Sequence, residues 1–507
     1  ARAGRPASAY ILIWNFKDPI HPEYVLQAPF EVFAFQYNPA NPEIVAGGCY
    51  NGQVVLWDTT HEHERIARMK AASNKQDAQD ASDEATIPIV KYKYVTAPEF
   101  SHHSVVLDLQ WLPGVEITSR GKLSKAAEGP RECSFIATTA GDGKVNFWDI
   151  RVDRLMKKGR KAEDSLDLVW KPTHSVHLIS LIGMDLGGMR MCFHVRALDT
   201  HHEFFVGSAD GELVCSELVK PDGEENPDYM RYALQAHVGP IVALERSPFF
   251  DDIILTVGDW SFQVWREGQH TPLFSSGYAA DMYTCGCWSP TRPAVIYLAD
   301  HAGNLEIWDM LDRSHEPSIK VTLASTPFMS MSFTGGGAAS AGQAAVAANA
   351  AGAGANAAAA QQAAHAAQFL ALGDSAGVLR IVELPRNLRR PVPNEKKLMG
   401  VFLEREGERV ADVGGRKGAR EAANKAAEEA RKKAAEDAAA ADQARQDAAA
   451  KDQGHPAPSK SAAAAAQKAA AAASLELDEK AEAEYYKLEH KFKLQLGLIE
   501  ADDKDKS

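Results

Sequence analysis

One short pattern recurs along the chain and narrows the folds open to it: a small residue, a turn ending in Gly, then an apolar strand closing on Trp-Asp. The clearest copy spans 47–58, passing through Asn51-Gly52 to Trp57-Asp58. A second spans 139–149, through Asp142-Gly143 to Trp148-Asp149, and a third spans 298–309 and ends on Trp308-Asp309. Weaker copies close on Trp14-Asn15, Ser216-Glu217, Trp265-Arg266 and Val382-Glu383. The steps from 14 to 57 and from 265 to 308 are each 43 residues.

Each copy has the makings of a β-hairpin. Asn51-Gly52, Asp142-Gly143 and Asp210-Gly211 are dipeptides that tolerate the positive φ of a tight turn. Apolar partner strands lie upstream over 32–39, 106–113, 241–248 and 285–290, each closing on or near a Pro, as a strand exit does. A repeat of about 40–45 residues built this way is one propeller blade, and longer steps read as a blade plus an insertion, since loop growth adds little closure entropy. Seven such units close a ring without a long free sheet edge. The expectation is an all-β fold, a seven-bladed WD-repeat β-propeller over 1–390 with a helical C-terminal tail. Trp14, Trp57, Asp58, Trp148, Asp149, Trp265, Trp308 and Asp309 define the repeat and take structural roles. The first unit has too few residues before Trp14 for its earlier strands: either those strands precede residue 1, or the ring is incomplete. Ala1 in place of an initiator Met points to further chain upstream.

Insertions are expected at 59–104 and 150–203, with a low-complexity Gly/Ala/Gln loop over 335–368 that is too poor in apolar surface to order itself. A charged, Ala-rich linker or helix follows over 391–474. In the last segment, 475–500, Leu477, Ala481, Tyr485, Leu488, Phe492, Leu496 and Ile499 recur at steps of three and four, which marks an amphipathic helix. A lone helix with such a stripe folds back on the body or docks on a partner; Tyr485, Leu488, Phe492 and Leu496 are the candidate partner contacts.

The net charge of −13 is not the footprint of a nucleic-acid binder. No apolar stretch suits a membrane span and there is no signal-peptide pattern. Six Cys without regular spacing suit buried thiols in a reducing compartment. Gly373-Asp374-Ser375-Ala376-Gly377 matches the hydrolase elbow, but it joins two apolar strands where the elbow needs a strand and a helix, so it reads as a hairpin turn. His61-Glu62-His63-Glu64 opens a polar loop without a third metal ligand at useful spacing. Cys285 and Cys287 share one face of a strand, a spacing suited to packing and not to redox or zinc chemistry. His102, His103 and His237 precede apolar strands and read as hydrogen-bonding residues. Trp111, Trp260 and Trp288 read as core, with surface contact as the alternative. No Walker A loop, kinase set or Rossmann fingerprint is present. Neither catalysis nor a cofactor is called for.

Beyond the repeat, three segments resemble the axonemal dynein intermediate chains: 11–22 followed by 44–54, then 246–260, then Ile307-Trp308-Asp309-Met310-Leu311 with His315-Glu316-Pro317. The closing run from Leu494 to Ile499 continues the likeness. Within that family the chain looks most like an intermediate chain of the two-headed inner-arm dynein, with the outer-arm chains second. The resemblance implies a non-catalytic subunit of a ciliary motor in the cytoplasm and the axonemal cytoskeleton. Its implied partners are dynein heavy chains, a second intermediate chain, and light chains held through an N-terminal extension. A general WD-repeat scaffold and a propeller-borne enzyme are the competing classes.

Overall fold

The computed structural model describes residues 9–16, 18, 20–60, 87–125, 132–153, 169–194, 202–218, 229–333 and 368–452. Seven of the eight sheets among the described residues form the seven blades of a β-propeller, and the eighth is a small hairpin, Val115–Ile117 with Leu123–Lys125. Blade 1 holds Ala9–Ile13 and Tyr24–Ala28 as an antiparallel pair, with Ile89–Lys91 added parallel to the second strand. Blades 2 to 6 are four-stranded. Blade 2 runs Val32–Tyr37, Ile44–Cys49, Val54–Asp58 and Tyr94–Val95, and blade 3 runs Val106–Leu112, Phe135–Ala140, Lys144–Asp149 and His174–His177. Blade 4 begins at Gly188–Phe193, blade 5 at Ile241–Arg246 and blade 6 at Tyr283–Trp288. Blade 7 holds Phe328–Phe333, Phe369–Asp374 and Leu379–Glu383. Within each of blades 2 to 7 successive strands pair antiparallel, and the first strands of successive blades touch.

The core sits between blades. Second and third strands are nearly continuous apolar runs, because a blade is covered on both faces. Phe147, Phe193 and Phe204 meet between blades 3 and 4, with Phe193 and Phe204 stacked at 5.0 Å. The blades approach closely where a second strand carries Gly. A Cβ on Gly48 would lie 2.3 Å from Val106 of the next blade, and one on Gly207 would lie 2.8 Å from Ile241. These matched positions hold Gly because the neighbouring strand occupies the space of a side chain. Polar staples add register: Asn38 Nδ2 donates to the Cys133 carbonyl at 2.9 Å, and Trp111 Nε1 to the Gln36 carbonyl at 3.3 Å.

Several details depart from the sequence expectation. The insertions are narrower than 59–104 and 150–203, because Ile89–Lys91, Tyr94–Val95, His174–His177 and Gly188–Phe193 are blade strands. The outer strands among them have one solvated face, and their Lys, Tyr and His content imitates a loop. Gly188–Phe193 is broken in pattern by Arg190, whose guanidinium donates to the Val242 and Leu107 carbonyls at 2.9 Å each. The residues of the expected loop at 335–367 and of the amphipathic segment 475–500, with Tyr485, Leu488, Phe492 and Leu496, lie outside the described residues.

After blade 7 the chain forms α1 (Arg386–Arg389) and α2 (Glu395–Asp452). The first turns of α2 belong to the body: Met399, Phe402 and Leu403 are buried against blades 5 and 6. Glu395 forms a buried pair with Arg292, Nε to Oε1 at 3.1 Å, and Arg292 also reaches Asp309 at 2.7 Å. From Gly415 onward the helix is a separate unit of charged, Ala-rich turns whose described side chains are exposed.

Candidate functional site

Two hydrogen-bonded chains of side chains organise one rim of the propeller, the rim made by the turns between second and third strands and the loops that enter the next blade. In blade 3, Trp148 Nε1 donates to Thr138 Oγ1 at 2.8 Å, Thr138 Oγ1 meets His102 Nε2 at 2.9 Å, and His102 Nδ1 meets Asp142 Oδ1 at 3.0 Å. With Asp142 a carboxylate, Nδ1 carries the proton and Nε2 accepts from the Thr138 hydroxyl. Burial pushes the Asp142 carboxyl up, and the His102 contact with the His103 and Lys144 amides outweighs it, so that it falls to about 2. In blade 5, Trp265 Nε1 donates to Thr256 Oγ1 at 3.0 Å, and that hydroxyl meets His237 Nε2 at 2.9 Å. Here Asp259, in the left-handed region at φ 52, accepts the Val238 and Gly239 amides at 2.7 Å each. Blade 6 replaces the histidine: Glu306 accepts from the Tyr283 hydroxyl at 2.7 Å and from Trp308 Nε1 at 3.4 Å.

These networks tie the rim loops to the blades, and the tied loops display large apolar side chains. Val238, fixed through Asp259, projects into solvent, as does Trp260 beside it. The Ala279 amide donates to the Trp260 carbonyl at 2.8 Å, which sets the adjoining Tyr278, 82% exposed, next to Trp260. The His301 amide ties down the Met282 carbonyl at 2.8 Å, and in blade 4 the Leu181 amide donates to Glu212, placing exposed Leu181, Ile182 and Met184 on the same kind of loop. Isolated exposed apolar residues are ordinary; a row of them on pinned loops is the form of a docking surface. The backbone that carries these side chains is already hydrogen-bonded in place, so contact would cost little further backbone entropy.

Burial moves the His237 imidazole down to about 4, with the Asp259 charge and the Thr256 backbone opposing it. The folded pKa lies below the unfolded value of about 6.5, so the folded state binds fewer protons between the two, and stability falls as the pH drops from 6.5 towards 4. The full loss is about 3 kcal/mol. Glu245 works oppositely, its carboxyl pushed up to about 7 by burial despite the Trp288 amide. Comparison with His237→Gln therefore isolates the histidine: the variant should lose less stability than wild type between pH 6.5 and 4 in urea titrations, and parallel curves would refute the assignment.

Trp57, Trp148, Trp265 and Trp308 are buried at equivalent ends of third strands, with Asp58, Asp149 and Asp309 following them. Trp14, at the same repeat position, is half exposed on blade 1. Asp149 forms an ion pair with Arg151 at 3.0 Å, and Asp58 accepts from Lys93 at 2.9 Å. His102 and His237 are buried in the networks, whereas His103 is exposed and contributes only its amide, to Asp142 at 3.0 Å. Trp111 and Trp288 are core, and Trp260 is surface. Cys285 and Cys287 are buried thiols, and Asp374 to Gly377 form a hairpin turn. The sequence reading missed Val238, Tyr278, Met282 and Ile182. For Ile182, Val238 and Tyr278 the signal was a large apolar residue beside a Gly, as in Val238-Gly239 and Gly277-Tyr278, where no core needs one; Met282 carries no such signal. Among the described residues no group of three or more His, Cys, Asp or Glu is placed to hold a metal ion, and no helix is long and apolar enough to cross a membrane.

Residues 7–187 and 189–333 match the family described as "Dynein axonemal intermediate chain 3 WD40 domain". Dynein axonemal intermediate chain 3 of Homo sapiens is 28% identical over 485 residues, covering 81% of this chain and 51% of that protein. The protein of that name in Danio rerio is 32% identical over 373 residues, covering 61% and 38%. A Chlamydomonas reinhardtii relative, "Dynein, 70 kDa intermediate chain, flagellar outer arm", is 25% identical over 424 residues, covering 83% and 57%. The chain spans about half the length of the curated relatives it matches. The family match runs from blade 1 into the first strand of blade 7, more than half of the chain, and by it the chain belongs to the WD-repeat axonemal dynein intermediate chains.

Proposed function

We propose that the chain is a non-catalytic intermediate chain of an axonemal dynein, which binds the heavy-chain tail and scaffolds assembly and positioning of the motor on ciliary doublet microtubules. The observation that carries this reading is the family match across the propeller. A ring of rigid blades presents fixed contact points, and its contribution to the motor is interface energy concentrated in a few anchors. The rim residues Val238, Trp260 and Tyr278 are the proposed heavy-chain anchors, and the stripe at Tyr485, Leu488, Phe492 and Leu496 is a proposed second contact. A second intermediate chain and light chains complete the partners, in the axoneme of cilia and flagella. The inner arm is the proposed place of the complex, on the segment-level resemblance; the flagellar outer-arm relative favours the outer arm as the second reading.

The test is a tagged pull-down from a salt extract of axonemes, with mass spectrometry of the bound proteins. Recovery of heavy chains and a second intermediate chain is expected, and the heavy-chain isoforms decide the arm. The double variant Val238→Asp, Tyr278→Asp should lower heavy-chain recovery by about tenfold or more, since an unpaired charge at a hot spot costs 2 kcal/mol or more. Unchanged recovery would remove the rim from the interface. Absence of heavy chains from an extract that contains them would leave a WD-repeat scaffold with another client.

A further inference from the structure

The rim that carries the exposed apolar residues is one-sided in charge. It consists of the turns between second and third strands of blades 2 to 7 and the loops that enter those blades. Together these twelve connections hold seven Asp and Glu, from Glu31 to Asp281, and neither Lys nor Arg. Arg120, Arg151, Arg292 and Arg313 stand on the opposite rim, in connections from first to second or from third to fourth strands. From blade 4 to blade 6 the connections of the acidic rim are joined edge to edge. The Leu181 amide donates to Glu212 at 3.1 Å, and the His237 amide to the Gly211 carbonyl at 3.0 Å. The Val238 amide donates to Asp259, the Ala279 amide to the Trp260 carbonyl and the His301 amide to the Met282 carbonyl.

On this arc carboxylates flank the apolar side chains. Asp185 follows exposed Met184, and Asp281 precedes exposed Met282. Gln235 Nε2 donates to the carbonyls of both Asp210 and His237, at 2.8 and 2.6 Å, which sets Asp210 near Val238. The Asp259 carboxylate is occupied by the Val238 and Gly239 amides. Asp185 and Asp210 are exposed and Asp281 is half-buried. Such a field repels phosphate backbones, anionic lipid and acidic peptides, and it attracts cations. The exposed rings of Trp260 and Tyr278 add a second preference of the same sign, since an aromatic π-system attracts a guanidinium. Arginine meets both demands: its planar group stacks on an aromatic ring and pairs with carboxylates.

We propose that the rim from blade 4 to blade 6 takes an Arg-rich apolar segment of its partner. The apolar side chains of that segment meet Val238, Trp260 and Tyr278, and its guanidinium groups pair with Asp185, Asp210 and Asp281. This inference rests on the reading of the rim as the heavy-chain surface, and it adds the chemistry of the segment that docks there. Apolar anchors supply most of the binding energy, while charges at the edge of an interface steer the approach and reject partners of the wrong sign. Association at this surface is therefore strongly dependent on salt.

The test compares Asp210→Lys with Asp281→Lys on the rim against Asp312→Lys with Glu316→Lys, an equal change of charge at exposed positions of the opposite rim. Urea midpoints check that both variants fold, and heavy-chain recovery from axonemal extract is followed against salt. At about 50 mM salt the rim variant should recover about tenfold less heavy chain than wild type, narrowing to about twofold at about 0.5 M, with the control unchanged. Unchanged or raised recovery by the rim variant would overturn the proposal. An equal loss in the control would also overturn it, by assigning the effect to net charge. If Val238→Asp with Tyr278→Asp lowers recovery and the charge variant does not, the rim keeps its role and the Arg-rich partner is refuted. A second measurement needs no dynein. A synthetic amphipathic helix of about 18 residues, Leu and Arg, should bind the chain about tenfold more tightly than its Leu and Glu twin in fluorescence anisotropy. The rim variant should lose that preference and the control should keep it. No preference, or one that survives in the rim variant, would overturn the proposal. Absence of heavy chains from the wild-type pull-down would sink the dynein reading alone and leave the peptide result to decide this one.

Discussion

Replacing Trp148 with Ala should lower the stability of the propeller by about 3–5 kcal/mol, the cost of removing a large aromatic from a core that cannot collapse around the hole. Trp148 is fully buried, packs edge-on against Trp170 at 5.8 Å, and sits among Leu56, Leu109, Trp111 and Ile136 from blades 2 and 3. Its loss also removes the N–H that begins the chain through Thr138 and His102 to Asp142. Trp148→Phe separates the two effects: it keeps most of the ring and should cost about 1–3 kcal/mol, part of it for the Thr138 hydroxyl left short of a donor. Trp14→Ala, at the same repeat position but half exposed, should change stability by less than about 1 kcal/mol. Urea unfolding of the three variants reads these differences directly. A loss at Trp148 no greater than at Trp14 would show that burial, and not the shared repeat position, had been overvalued.

Glu395→Ala should cost about 3–5 kcal/mol, because it leaves the Arg292 guanidinium buried without its carboxylate. The two side chains are among the least exposed ions of the described structure, and the pair joins the start of α2 to blade 6. Arg292 keeps Asp309 at 2.7 Å and the Asn387 carbonyl at 3.2 Å, which holds the loss near the lower end of that range. Glu395 also accepts the Val392 amide at 2.7 Å, so its removal frees the turn that starts the helix. Cleavage by a protease between Pro385 and Met399 should rise with the loss of stability. The paired replacement Arg292→Met with Glu395→Leu should recover most of the loss, since two apolar groups of similar volume avoid the cost of desolvation. A single variant that unfolds at the wild-type urea midpoint would show that Met399, Phe402 and Leu403 hold α2 without the ion pair.

Much of the propeller was legible because its information is local. A tight-turn dipeptide and an apolar run closing on Trp-Asp specify a hairpin within a dozen residues, and the copies at Trp57, Trp148 and Trp308 announce the repeat. The same locality explains the errors. Tyr94–Val95 and His174–His177 are outer strands whose polar residues are compatible with solvent, and only pairing to Val54–Asp58 and Lys144–Asp149 makes them strands. The partner strands at 32–37, 106–112 and 241–246 were visible, but which of their faces would be covered was not: Phe35 and Leu109 read alike as sequence and differ entirely in exposure.

Alternation, turn chemistry and the Trp-Asp signature alone determined that this chain builds β-hairpin units of blade length and that the units belong to a ring. They also located the buried tryptophans at 57, 148, 265 and 308 and cast His102 and His237 as hydrogen-bonding residues. Tertiary structure decided which residues the ring presents. Asp259 pins Val238, and the Trp260 carbonyl holds Ala279 and with it Tyr278, through contacts between loops about 20 residues apart or bordering different blades. It also decided that α2 begins as part of the body, through an Arg292–Glu395 pair separated by 103 residues. Such contacts join residues with no common local pattern. Their partners are chosen by which strands stack, and stacking is a property of the closed ring and not of any one segment.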